Sequence, residues 1–245
     1  YEHIPVVLYR DLGLKRAQQM FSDLNKFALR PTHSLNIMYD NRDADSKLSK
    51  EIIANVPVFH GLVDTEHTSI SNRSNQLFTL SGIHLGTKAL FSGLTWDYEK
   101  KREVGISFWT SVSDYMQDWK DVYEGKKKAY VIRQDSLSSL SITIKGLGTV
   151  GNEILRQAPD TVNTALSRLT TIDWHKNGPL WKEGIVVDGS VVSSRATQKM
   201  MESILRNAIR GAANGQLIDK GRSTANIGDY PTDLSLRQHP LDLRL

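Results

Sequence analysis

The chain has 245 residues, of which 39% are hydrophobic and 24% charged, the make-up of an ordinary globular protein rather than a disordered one. It has no cysteine, which excludes disulfides, thiolate zinc sites, iron–sulfur clusters and a cysteine nucleophile. No apolar run approaches the roughly 20 residues of a membrane span, and none sits behind a basic N-terminus as in a signal peptide, so a soluble, cytoplasmic protein with no membrane partner is expected. The net charge of +4 permits a polyanionic partner without requiring one.

In chain order, the run Ile4-Pro5-Val6-Val7-Leu8-Tyr9 reads as a strand almost at the start, so the chain reads as a fragment lacking what precedes that strand. Leu14, Ala17, Phe21, Leu24 and Ala28 then recur at helical spacing and predict a helix with one buried face, stopped by Pro31. A second helix is expected over about 43–55, followed by an extended Val56-Pro57-Val58-Phe59. A polar loop over 64–73 leads into a helix whose period is set by Leu77, Leu80, Ile83, Thr87 and Leu90. The strongest periodicity, from Val104 through Phe108, Val112, Tyr115, Met116 and Trp119 to Tyr123, predicts one long helix with an aromatic stripe, ended by Gly125.

Two more helices are expected over about 137–157 and 159–169. Ile185-Val186-Val187-Asp188-Gly189-Ser190-Val191-Val192 carries the Asp-Gly signature of a tight hairpin. A helix from about Ser194 to Ala212 follows, with a stop signal at Asn214-Gly215, and the rest reads as a loop or extended arm. The expected fold is therefore α/β but predominantly helical.

The last helix carries the sharpest signal. At 100° per residue, Arg195, Lys199, Arg206 and Arg210 fall within about 60° of one another. Met200, Met201, Ile204, Leu205, Ala208 and Ile209 occupy the other side. Such a stripe can track phosphates, or it can be a solvated face relieved by Glu202. Four neutralised phosphates would give a slope of about −3.6 in log affinity against log salt. Ser193 or Ser194 would cap the helix and leave amide donors near its start.

Thr68-Ser69-Ile70-Ser71-Asn72-Arg73-Ser74-Asn75 gathers hydroxyls, amides and a guanidinium ahead of a helix. It can contact phosphate oxygens or cap the first turn, for which Ser71, Asn72 or Ser74 would suffice; Arg73 exceeds what capping needs. Arg30-Pro31-Thr32-His33-Ser34 is a rigid polar turn with the same two readings.

Other motifs favour structural roles. Gly146-Leu147-Gly148-Thr149-Val150-Gly151 matches the glycine pattern of dinucleotide-binding turns, but Pro159 interrupts the helix such a turn must open, so close helix packing is the better account. His60, His67 and His84, with Asp64 and Glu66 nearby, lack the spacing of a metal site. There is no nucleophile elbow, Walker A run or two-metal carboxylate cluster, so no catalytic residue, metal or cofactor is assigned. Trp174 and Trp181, flanking a Gly-Pro turn, fit a loop anchor better than a base-stacking platform.

Phe21-Ser22-Asp23-Leu24-Asn25, followed by Arg30-Pro31-Thr32-His33-Ser34-Leu35, resembles the F-x-D-x-N helix and following turn of proteins with a DGQHR domain. Thr68-Ser69-Ile70-Ser71-Asn72-Arg73-Ser74, continuing through Leu77-Phe78-Thr79-Leu80-Ser81, is similar to the DndB branch of that family, and Asp173-Trp174 with Trp181 resembles its C-terminal part. The Asp-Gly-Gln-His-Arg motif itself would lie upstream of Ile4 and is not in this chain, and His67 stands where a lysine is expected.

The resemblance implies a ParB-like α/β remnant over 1–62, a helical domain with a hairpin over 63–215 and a C-terminal arm over 216–245. It implies a regulator that represses or tunes the DNA phosphorothioation genes by binding their promoter DNA, not an enzyme that inserts sulfur. It favours DNA contact by Arg30, Arg73, Arg195 and Lys199, with 185–212 as the reading element and a homodimer if the operator is two-fold. The alternatives are a nucleotide-binding or nucleotide-hydrolysing accessory protein, or a module that docks onto the modification proteins through a partly exposed aromatic helix.

Overall fold

The computed structural model describes residues 13–26, 31–182 and 184–210. The expected strand over 4–9, the C-terminal arm and Arg30 lie outside them.

The described chain is mainly helical, in the order α1 (Leu14–Lys26), α2 (His33–Tyr39), α3 (Ala44–Asn55), β1 (Val63–Asp64), β2 (Phe78–Thr79), α4 (Leu80–Leu90), α5 (Tyr98–Tyr115) and α6 (Gln117–Tyr123). Then come α7 (Ala129–Asp135), α8 (Ser141–Gln157), α9 (Val162–Ser167), α10 (Pro179–Lys182), β3 (Val186–Val187), β4 (Ser190–Val191) and α11 (Arg195–Arg210). β1 and β2 pair in parallel, Val63 opposite Phe78. β3 and β4 form the expected hairpin, whose turn has positive φ at both Asp188 (49°) and Gly189 (73°), the geometry that an Asp-Gly pair accommodates at least cost.

Side-chain caps fix several boundaries. Thr32, Asp43, Thr79 and Asp97 each accept a hydrogen bond from a first-turn amide of α2, α3, α4 and α5. Four expectations change. The turn after Pro31 does not merely stop a helix but starts α2. Residues Pro57–Phe59 form a 3-10 turn rather than an extended run, with Pro57 at its first position. The long aromatic helix is two helices, because Met116 adopts an extended conformation (φ −100°, ψ 90°) and divides α5 from α6. Leu14 and Phe21, expected on a buried face of α1, are 73% and 71% exposed.

A buried core draws Leu48 and Ile52 of α3, Phe59, Phe78, Phe108, Trp109, Trp119 and Trp181 together with Met201 and Leu205 of α11. Phe78 meets Trp119 edge-on at 4.8 Å, and Phe59 meets Phe78 at 5.2 Å. Phe108, Trp109 and Trp119 of the aromatic stripe are all at 1% exposure or less, whereas Tyr115 is partly buried and Tyr123 is exposed.

α8 runs through the middle of this core, against α4 on one side and α11 on another. A Cβ on Gly148 would overlap the carbonyl oxygen of Gly86, so the two backbones touch where those glycines meet. Gly82 lies against Ser141, Gly86 against Ile144 and Gly148, and Gly151 against Leu90 and Phe108. Positions on α4 and α8 therefore advance together and the helices are parallel. The glycine motif is a packing device, as expected. Gly146 faces another neighbour, Leu205 and Met201 of α11.

Gly148→Ala drives a methyl group into backbone and should cost about 3 kcal/mol or more, at the upper end of overpacking penalties. Thermal unfolding followed by circular dichroism should show a midpoint lowered by at least about 5 °C. Gly146→Ala meets side chains rather than backbone, Leu205 and Met201 nearest, and should cost less than half as much; equal shifts in the two variants would contradict the backbone contact.

Candidate nucleic-acid interface

α11 begins with a reciprocal cap. The Ser194 hydroxyl accepts from the Thr197 amide at 3.1 Å, and the Thr197 hydroxyl accepts from the Ser194 amide at 2.9 Å. Of the proposed capping residues it is Ser194 that takes the role, and it spends one of the donors expected to remain free. Met201, Ile204, Leu205, Ala208 and Ile209 are buried, which fixes the rotation of the helix and leaves Arg195, Lys199 and Arg210 exposed.

Arg206, the fourth member of the stripe, is engaged elsewhere. Its Nε and Nη2 donate to the two carboxylate oxygens of Glu153 on α8 at 2.8 and 2.5 Å, and both side chains are more than two-thirds buried. This bidentate bond holds the Glu153 carboxyl below its usual range despite partial burial, and the same bond raises the Arg206 guanidinium. Glu202 lies among the cations and accepts from Gln198 at 2.9 Å and Thr149 at 3.4 Å. The stripe is thus three exposed cations around an internal ion pair and a hydrogen-bonded carboxylate.

Periodicity did not reveal two further cations. Lys145 of α8 and Lys88 of α4 line one cleft of about 580 Å³, together with His33, His84, Thr149 and Glu153. Lys88 pairs with Asp45 at 3.4 Å. Gln198 reaches the Ile142 carbonyl, Glu202 reaches Thr149, and Arg206 reaches Glu153, so α11 also runs parallel to α8.

The polar loop is built differently. Arg133 of α7 donates to the carbonyls of Ser71 (2.7 Å), Ser74 (3.2 Å) and Gln76, so one guanidinium sets the path of the loop. Asp64 accepts from the amides of Glu66 and His67, each at 2.9 Å. The Thr32 hydroxyl accepts from the Leu35 amide and donates to the Glu66 carbonyl, and Ser34 donates to the His67 carbonyl at 2.8 Å. The Thr32 proton is therefore spent inside the fold, between the cap of α2 and the loop. The cap of α4 is Thr79, not Ser71, Asn72 or Ser74. Ser69, Ser71, Asn72 and Arg73 are exposed, and the Ser71 hydroxyl accepts weakly from the Arg73 amide at 3.4 Å. The adjoining cavity of about 500 Å³ carries the carboxylates of Asp64 and Glu66, which would repel a phosphate. The cations of α11 thus share one helix, whereas the loop is tied to α2 and α7.

The three histidines make separate contacts. His60 bonds the Ala54 carbonyl, His67 bonds Asp64, and buried His84 bonds Ser49 through Nδ1 at 3.0 Å. Among the described residues no three His, Cys, Asp or Glu side chains converge as a metal group. Trp174 stacks on Trp181 at 5.7 Å, and the indole of Trp181 donates to the Asp173 carbonyl, so the pair anchors its loop. No described helix is long and apolar enough to cross a membrane.

Arg133→Ala should free the carbonyls of 71–76 at a cost of about 2 kcal/mol. Hydrogen exchange at the amides of that segment should accelerate by about tenfold or more while exchange in α8 stays unchanged, and unaltered loop exchange would refute the role given to Arg133. Burial, with the charge of Lys88 acting in the same direction, holds the His84 imidazole below its ordinary value. The unfolded chain then takes up a proton before the folded one, so stability is lost as pH falls below about 6.5 and continues to fall until the folded imidazole ionises. Denaturant titrations across that range should show a smaller pH dependence in His84→Asn; an identical dependence would count against this residue.

Comparison with curated proteins and with solved structures found no match to the chain. A family model does match it: DndB, described as DNA-sulfur modification-associated, over residues 1–211, which takes in every described element from α1 to α11. The chain belongs to the DndB family of DNA-sulfur modification-associated proteins.

Proposed function

We propose that this protein regulates the phosphorothioation genes as a repressor, binding their promoter DNA through the exposed face of α11. The observation that carries this reading is the outward set of Arg195, Lys199 and Arg210 on a helix whose opposite face is locked into the core. Arginine forks and a lysine point charge suit backbone phosphates, which set affinity and register, and the hairpin β3–β4 immediately before α11 is our candidate for contact with base edges. A two-fold operator would be served by two copies of the chain.

A second reading, docking onto modification proteins through the aromatic helix, loses support from the burial of Phe108, Trp109 and Trp119.

The test is a titration of promoter and scrambled duplexes over a range of salt. Three phosphate contacts give a slope of about −2.7 in log affinity against log salt for the wild type. Combined charge reversal at Arg195, Lys199 and Arg210 should flatten that slope and weaken promoter binding by more than tenfold. Arg206→Met should instead lower the melting temperature and leave the slope nearly unchanged, since its guanidinium belongs to Glu153. Equal affinity for both duplexes, or a slope unmoved by the triple reversal, would remove the reading.

A further inference from the structure

A cavity of about 340 Å³ lies between α8, α9 and the C-terminal half of α11, and its sides are unlike. Val150, Ile154, Ala165 and Ile209 contribute apolar surface, while Arg168, Arg206 and Arg210 bring three guanidinium groups to the same space. Glu153 is the one carboxylate on the lining, and it is held by Arg206. Two positive charges therefore remain unbalanced. Arg168 spends one donor on the Ile209 carbonyl at 2.5 Å and has no acidic partner among the described residues. Arg210 makes no hydrogen bond or salt bridge among them and acts on Glu153 only through a longer-range attraction, weaker than the direct Arg206 pair, so its donors are open to a ligand.

A guanidinium has five donors in a planar fork that matches the oxygens of a phosphoryl group. Two such forks beside an apolar wall, in a cleft of small-molecule size, recognise a compact dianion attached to a carbon body. We propose that this cavity binds a small phosphate monoester with an apolar or aromatic group, and that its occupancy weakens DNA binding by withdrawing Arg210 from the exposed face of α11. The second half of this statement rests on the DNA-binding reading above; the first half does not.

Calorimetric titration of the full chain with phenyl phosphate, inorganic phosphate and benzyl alcohol tests the cavity without DNA. Phenyl phosphate should bind saturably, at least about fivefold more tightly than inorganic phosphate because the ring buries against the apolar wall, and benzyl alcohol should give no saturable heat. Arg168→Gln should weaken phenyl phosphate by about tenfold or more, the loss expected for a charge-assisted bond. Thr164→Glu, at an exposed position on the cavity lining, should do the same by adding a second carboxylate without disturbing the core. Absence of saturable binding, or binding retained by both variants, would overturn the site. In the promoter titration, saturating phenyl phosphate should reduce wild-type affinity by severalfold and leave Thr164→Glu unaffected; unchanged wild-type affinity would overturn the competition. A chain that binds no promoter DNA would count against the DNA reading alone, and the calorimetric result would still decide the cavity.

Discussion

The described structure depends on the contact between Gly86 and Gly148, where two helices meet backbone to backbone. Side chains of ordinary size would push α4 and α8 apart, and every element that uses α8 as a support would shift with them. Phe108 and Leu90 fill the space beside Gly151, Leu205 and Met201 the space beside Gly146, so the glycines of one motif set the distances from α8 to α4, α5 and α11. The rotation of α11, and with it the outward display of Arg195 and Lys199, follows from that placement.

Charge on α11 is divided between two tasks. Arg206 and Glu153 form a bidentate pair that is largely sheltered from solvent and ties the helix to α8. Breaking one partner of such a pair strands the other, so the pair acts as a constraint on geometry more than as a source of net stability. Arg195, Lys199 and Arg210 enter no such pair among the described residues, and Arg210 feels Glu153 only at longer range. A helical wheel treats all four cations alike, because it holds no information about what packs on the next helix.

The same distinction decides how much of the fold was legible in the sequence. The hairpin was readable because Asp188-Gly189 can adopt positive φ, a local property, and α11 was readable because most of its apolar period is buried, Met200 alone of the six named residues being exposed. The structural role of Gly148 was readable because Pro159 ruled out its competitor. The break at Met116 was invisible, since the apolar period continues across it and only three-dimensional packing turns the chain. α2 and α7 are seven residues each, too short for a periodicity to declare itself. In the candidate site, the exposure of Arg195, Lys199 and Arg210 followed from the pattern, but Arg133 and Glu153 act on partners more than 50 residues distant in the chain. No local rule could find them; a lone arginine in a short helix and a lone glutamate in a glycine-rich one were the only hints.

Parallel packing of α4, α8 and α11 has an electrostatic consequence. Gly82 beside Ser141 and Gln198 beside Ile142 place the starts of all three helices at one end, so their peptide dipoles reinforce one another rather than cancel. Each start carries about half an elementary charge, giving that end a fixed positive potential made by the backbone itself. Arg195 stands there. Were the proposed DNA partner to approach that end, part of its attraction would come from the main chain, fall off with ionic strength, and survive the replacement of any single side chain.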